Sequence, residues 1–186
     1  MKQLLLITLT ILFTSCNAQK TIILKKFDIK TFNKHKDTIR KEYNRTLDDG
    51  TVIEQMELKE VFAETIRQKN SFFEVKNQYY KNGTLKITGK YFNSSFQKGI
   101  WKEYDEKGSL IKETDYDKDF EYTWEDLVKL LKERKVDIQG RYTYIQKEEG
   151  NWRIWYVKGI FIHDVTINGK TGKIIDDSKN EFEEGS

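Results

Sequence analysis

Two segments of this chain, YYKNGTLKITGKY and YDEKGSLIKETDY, follow one pattern, with Tyr79 and Tyr104, Gly83 and Gly108, Leu85 and Leu110, and Tyr91 and Tyr116 each 25 residues apart. A glycine between two strand-like runs supplies the left-handed backbone that a hairpin turn needs, and residues at even offsets beyond it share one face of a strand. The first copy puts Leu85, Ile87 and Tyr91 on such a face, whereas the second puts Leu110, Lys112, Thr114 and Tyr116 there. The second copy is wetter and is expected nearer a sheet edge. A lone hairpin cannot bury its apolar side, so the two copies require flanking strands. The stretch from Tyr79 to Tyr116 offers no evident nucleophile, base or metal cage.

The 186 residues suffice for one domain or two small ones. Charged residues make up 34% of the chain, above the roughly 25% of an ordinary globular protein. Aromatics, at 13%, supply apolar bulk in place of aliphatics, so the core is expected to be aromatic-rich. Thirty-three basic residues stand against 30 acidic ones. That mixture lacks the one-signed footprint of a nucleic-acid binder, and no nucleic-acid partner is expected. There is no proline, hence no rigid spacer between domains.

The chain begins with Lys2 and an apolar run from Leu4 to Phe13, followed by Thr14, Ser15 and Cys16. The run falls short of the roughly 20 residues that span a bilayer and reads as an address. Its end, FTSC, resembles a bacterial lipoprotein signal, with Phe13 where an aliphatic residue is usual. The resemblance implies a signal peptide over 1–15 and lipid on Cys16, which carries the chain's single thiol. The segment NAQKT after Cys16 carries no acidic surface-export signal of the Bacteroidota kind, so the expected place is the outer membrane, lipid-anchored and facing the periplasm. Several acyl chains hold a protein to a membrane more firmly than one.

Residues 16–70 read as a hairpin-containing region. TIILKKF over 21–27 fits either a strand or a tether; Asp28 can cap a short helix carrying Ile29 and Phe32. Asp48, Asp49 and Gly50 join two strands. Residues 59–70, with Val61, Phe62 and Ile66 among charges, fit two helical turns or an irregular loop. His35 stands in a basic run and reads as a solvated surface side chain.

Residues 71–118 hold the repeat pair. Tyr80, Asn82, Gly83 and Leu85, followed by Gly99, Trp101, Tyr104, Gly108 and Leu110, resemble the variant MORN repeat found in YwqK-type antitoxin proteins and many Bacteroidota lipoproteins. The resemblance covers about residues 72–117. It implies a run of β-hairpins that presents a ladder of aromatics to another macromolecule, with no catalysis. Tyr80, Trp101 and Tyr104 are the candidate exposed anchors for a protein partner, since a few aromatics usually contribute most of a binding energy.

Asp115, Asp117 and Asp119 alternate like the opening of an EF-hand calcium loop, but the loop's sixth place holds Phe120 instead of glycine and its twelfth the short Asp126. No metal or cofactor is expected. Thr123 can cap a helix in which Glu125 and Asp126 occupy the first turn and Trp124, Leu127, Val128 and Leu131 form one stripe. Three strands then follow: RYTYIQK, NWRIWYV and GIFIHDVTI. Residues 123–176 resemble the PepSY module, with Asn168 where aspartate is commoner, and that resemblance also implies protein recognition. His163 and Asp164 adjoin on one strand, so they face opposite sides and cannot serve as a base and its orienting carboxylate. Residues 177–186 read as a disordered acidic tail.

The expected fold is α+β: mainly antiparallel hairpins, one amphipathic helix and a C-terminal meander. No phosphate-binding glycine loop, paired-cysteine zinc spacing or nucleophile elbow is present, so the expectation is a non-enzymatic envelope protein that binds another protein. Two further readings stand beside an immunity protein neutralising a toxin in the periplasm. One is an assembly component of an outer-membrane complex. The other is a carbohydrate-binding accessory in which Trp101, Trp152 or Trp155 stacks on sugar rings.

Overall fold

The fold is given by a computed structural model that describes residues 24–93 and 95–181. The signal segment and Cys16 lie outside the described residues. Three of its hairpins are built alike. At the first, the Gly50 N–H donates to the Leu47 carbonyl and the Leu47 N–H to the Thr51 carbonyl, both at 2.9 Å. Gly83 with Tyr80 and Thr84, and Gly108 with Asp105 and Ser109, repeat that pair of bonds at 2.8–3.0 Å. The three glycines have φ of +82°, +84° and +88°, the left-handed state that closes a type I turn with a bulge. Register shifts follow at Gln78/Tyr79 and Glu103/Tyr104, again 25 positions apart, so the duplication read from the sequence extends to the strand irregularities.

These turns connect a seven-stranded antiparallel sheet whose strands lie side by side in chain order: β1 Glu42–Thr46, β2 Val52–Glu57, β3 Val61–Arg67, β4 Phe73–Tyr80, β5 Leu85–Phe92, β6 Phe96–Tyr104 and β7 Leu110–Asp115. Strands on both sides of residue 70, β1–β3 and β4–β7, therefore share one sheet. The helix-or-loop reading of 59–70 is corrected, because Val61–Arg67 is a strand paired on both sides. The wetter second copy ends in β7, which is the sheet edge.

Ahead of the sheet, helix α1 (Ile29–His35) is capped by Asp28, whose carboxylate accepts from the Thr31 N–H at 2.9 Å. Phe27 and Phe32 seat this segment on one face of the sheet, where they meet Phe62, Tyr79, Leu85 and Tyr104. Phe27 stacks on Phe62 at 4.6 Å between centroids, and its N–H donates to the Gly83 carbonyl at 2.9 Å.

Helix α2 (Trp124–Glu133) follows β7. Thr123 and Asp126 form a reciprocal capping box at its start. The helix packs on a second antiparallel sheet: β8 Thr143–Glu148, β9 Asn151–Lys158, β10 Phe161–Asn168 and β11 Ile174–Glu181. The second sheet has four strands, not three. Part of the stretch expected to be a disordered tail is β11, paired with β10 from Phe161↔Glu181 to Ile167↔Ile174. Arg134 fixes it through a two-pronged bond to Asp177 at 2.6 and 3.2 Å.

The larger core joins the two sheets. Leu127, Leu131, Ile145, Trp152, Ile154 and Ile167 are almost completely buried, each contributing roughly 1.5–3 kcal/mol if its side chain leaves water entirely. Trp124 closes the junction, meeting Phe92 at 4.8 Å and Phe73 at 5.1 Å from the seven-stranded sheet and Trp152 at 6.2 Å from the other. The aromatic-rich core expected from composition is concentrated here.

Candidate functional site

The face of the seven-stranded sheet turned away from α1 carries the half-buried Trp101 on β6. Gly89 on β5 lies directly beneath it, and the missing side chain lets the indole rest on the strand. Its Nε1–H donates to the Lys90 carbonyl at 3.1 Å. Tyr91 and Tyr116 meet its two edges at 6.2 and 6.0 Å, with rings inclined by 70° and 73°. Tyr116 is 38% exposed, whereas Ile100, next to Trp101 on β6 and paired with Asp115 on β7, points to the other face of the sheet. Lys102–Glu113 at 2.8 Å and Lys112–Glu103 at 3.3 Å span the same pair of strands.

The three expected anchors have different fates. Trp101 lies on this open surface. Tyr80 is half-buried and donates its hydroxyl to the Tyr104 carbonyl at 2.9 Å, tying the two repeat copies together. Tyr104 is 9% exposed and belongs to the α1-side core, so it is corrected from surface anchor to core residue. The bulge at Glu103/Tyr104 turns it inward. Tyr91 and Tyr116 belong to the open surface and were not singled out as anchors. Only the repeat equivalence of Tyr91 and Tyr116 marked them.

The opposite face holds a polar row across five strands. The Arg45 guanidinium donates to Gln55 at 3.1 Å, the Gln55 amide to Glu64 at 2.8 Å, the Asn77 amide to Glu64 at 3.1 Å, and the Thr88 hydroxyl to Asn77 at 2.6 Å. Lys25 and the Tyr79 hydroxyl also donate to Glu64, at 2.6 and 2.9 Å. Glu64 is 4% exposed. Burial pushes its carboxyl up more than any other single influence, but the Lys25 bond and charge and the Gln55 and Asn77 amides together outweigh it, so the net shift is downward. Tyr79 is pushed up, first by burial and then by the Glu64 charge. Glu64 thus accepts from four side-chain donors, Lys25, Gln55, Asn77 and Tyr79, and acts as a structural hub. Once 59–70 is read as a strand, Phe62, Glu64 and Ile66 fall on one inward face, which would have marked Glu64.

A cleft of about 380 Å³ opens where the sheets meet, between Arg67, Lys69, Phe72, Phe73 and Ile138. Arg67 is engaged by Glu54 and by Glu74, the latter at 3.1 Å. The Ser71 hydroxyl in its wall donates to the Phe73 carbonyl at 2.7 Å, which gives it a turn-forming role.

Neither histidine forms a dyad with a carboxylate. His35 donates through Nδ1 to the Thr31 carbonyl at 2.9 Å and stacks on Tyr43. His163 lies flat on Tyr156 at 4.8 Å, and burial, followed by the Lys179 charge, lowers its pKa. Asp164 instead meets Arg153 at 3.1 Å. Of the alternating aspartates, Asp117 bonds Lys147 at 2.5 Å and Lys98 at 3.0 Å, and Asp115 accepts from the Asp117 N–H at 2.9 Å. Among the described residues no group of three or more His, Cys, Asp or Glu is arranged to hold a metal ion, and no helix is long and apolar enough to cross a membrane.

No protein-family model, curated protein or solved structure matches this chain.

Proposed function

We propose that this chain is a non-enzymatic, lipid-anchored envelope protein that binds another protein through the Trp101 surface, as an immunity or antitoxin-type inhibitor of a toxin in the periplasm. The observation that carries the reading is the aromatic cluster of Trp101, Tyr91 and Tyr116 on the face of the larger sheet turned away from α1, beside the edge strand β7. Aromatic anchors beside an edge strand suit a partner that adds main-chain hydrogen bonds to that edge and side chains to the face. The Lys112–Glu103 pair on the same face supplies part of a polar rim. The hairpin pair, with its repeated turns and bulges, supports its likeness to the variant MORN repeat, and FTSC supports lipid on Cys16.

The test is genetic and biochemical. The gene and an adjacent toxin gene are deleted, and the toxin alone is restored. Death is expected, with rescue by the full chain and failure of rescue by Trp101→Ala or Tyr116→Ala. Healthy growth with the toxin alone overturns the immunity role. Recovery of a stable membrane complex in place of one soluble toxin would assign the same surface to envelope assembly. Cys16→Ser should accumulate as unprocessed precursor, and normal maturation of that variant removes lipidation.

A further inference from the structure

We propose that the outer face of the four-stranded sheet carries a second binding site, a platform for a neutral pyranose ring of a glycan. It is distinct from the Trp101 surface and does not rest on the toxin reading. Along β8 and β9 the even and odd positions separate cleanly: Thr143, Ile145, Trp152, Ile154 and Tyr156 are buried against α2 and the core, whereas Tyr144, Gln146, Arg153 and Trp155 face outward. Strand register puts Tyr144, Trp155 and Asp164 in one row and Gln146, Arg153 and Thr166 in the next. The result is a depression of about 190 Å³ lined by Tyr144, Gln146, Arg153, Trp155 and Asp164.

Its chemistry selects the ligand. The Tyr144 and Trp155 rings stand 5.4 Å apart at 57°, an angled aromatic surface on which the C–H face of a sugar can rest. Tyr144 is 52% exposed, and Trp155 lies on the side of the sheet away from the core. Beside the rings stand a guanidinium, a carboxylate and an amide. These planar groups match neighbouring hydroxyls, which donate and accept in pairs. Arg153 is already compensated by Asp164 at 3.1 Å and Glu148 at 3.3 Å. One cation between two carboxylates does not attract an anion, which points away from phosphate, sulfate or an acidic peptide. The depression is also below the roughly 300–1,000 Å³ of sites that enclose a whole small molecule. One ring of a longer neutral chain lying across the sheet fits that size.

The full chain in detergent micelles is titrated with cellohexaose, maltohexaose, chitohexaose and xylohexaose, and binding is followed by indole fluorescence and by saturation transfer to the sugar protons. At least one sugar should saturate the signal with a Kd below about 1 mM. Trp155→Ala and Tyr144→Ala should each weaken it about tenfold or more, while Trp101→Ala leaves it unchanged. Gln146→Ala, at an exposed position, should weaken binding without altering the circular dichroism spectrum and so separates lost contact from lost fold. No saturation with any of the four sugars, or binding unaffected by Trp155→Ala and Gln146→Ala, overturns the site. Failure here leaves the toxin-binding test untouched, because the two surfaces lie on different sheets.

Discussion

The indole of Trp101 occupies the space that a side chain on residue 89 would fill. A methyl group built on Gly89 falls inside van der Waals contact with Cδ2, Cε2 and Cγ of the ring. Gly89→Ala must therefore lift the indole and break its bond to the Lys90 carbonyl, at a cost of about 1–3 kcal/mol, as for other overpacked sites. In a Trp101→Ala background the same change should cost much less. Thermal unfolding of the two single variants and the double variant measures this coupling directly. Additive effects would refute the contact.

Glu64 makes stability depend on acid. Its folded pKa lies below its unfolded value, so its stabilising contribution is fully present above the ordinary glutamate range and is lost as pH falls through the folded pKa. Lys25→Met removes the strongest opposing influence to burial. It should cost about 1–3 kcal/mol near neutrality and move the acid transition to higher pH. Denaturant midpoints measured from pH 7 down to pH 3 check both effects.

The legible parts of this fold were those in which local chemistry repeats or periodicity agrees with burial. Gly83, Gly108, the Asp48–Gly50 turn, the Asp28 cap and the Thr123 helix start are all written in short stretches of sequence. Strand β3 was not legible, because Glu64 points into the interior and breaks the apolar alternation expected of a half-buried strand. Its place becomes reasonable only when Gln55, Asn77, Tyr79 and Lys25 surround it. Strand β11 was hidden for the opposite reason. IIDDSKNE is almost wholly exposed and is held by the β10 ladder and by Arg134, neither of which leaves a hydrophobic signature. Trp101 was legible as an aromatic on the open face, whereas the inward turn of Tyr104 depends on a bulge that spacing alone does not reveal.

Lys147 is caged by aromatics. Its ammonium lies 4.4 Å from the Phe120 ring centre and 5.2 Å from that of Trp152, and its carboxylate partner is Asp117 at 2.5 Å. Burial is the largest influence on Lys147 and lowers its pKa despite that partner. Asp117→Asn leaves a buried cation with weaker compensation and should destabilise the fold by up to about 3–5 kcal/mol. Lys147→Met, which removes the charge together with the need for a partner, should cost less. Urea unfolding of the two variants gives the order.

The capping box at α2 gives a smaller effect. Thr123→Ala removes the bond to the Asp126 N–H at 3.2 Å, for a loss of about 1 kcal/mol. Because Trp124 is the next residue, near-ultraviolet circular dichroism should change together with the melting temperature.

Strands β2 to β7 each pair with the neighbour made just before them, and this order has a consequence for synthesis. A sheet without crossovers can grow from its leading edge as the polypeptide emerges, with no strand waiting for one still inside the ribosome. One clasp closes late: the segment containing Leu24 and Phe27 precedes every strand, yet it rests on Gly83 and Gly108. Until the second of those turns has been translated, that segment has nowhere to settle.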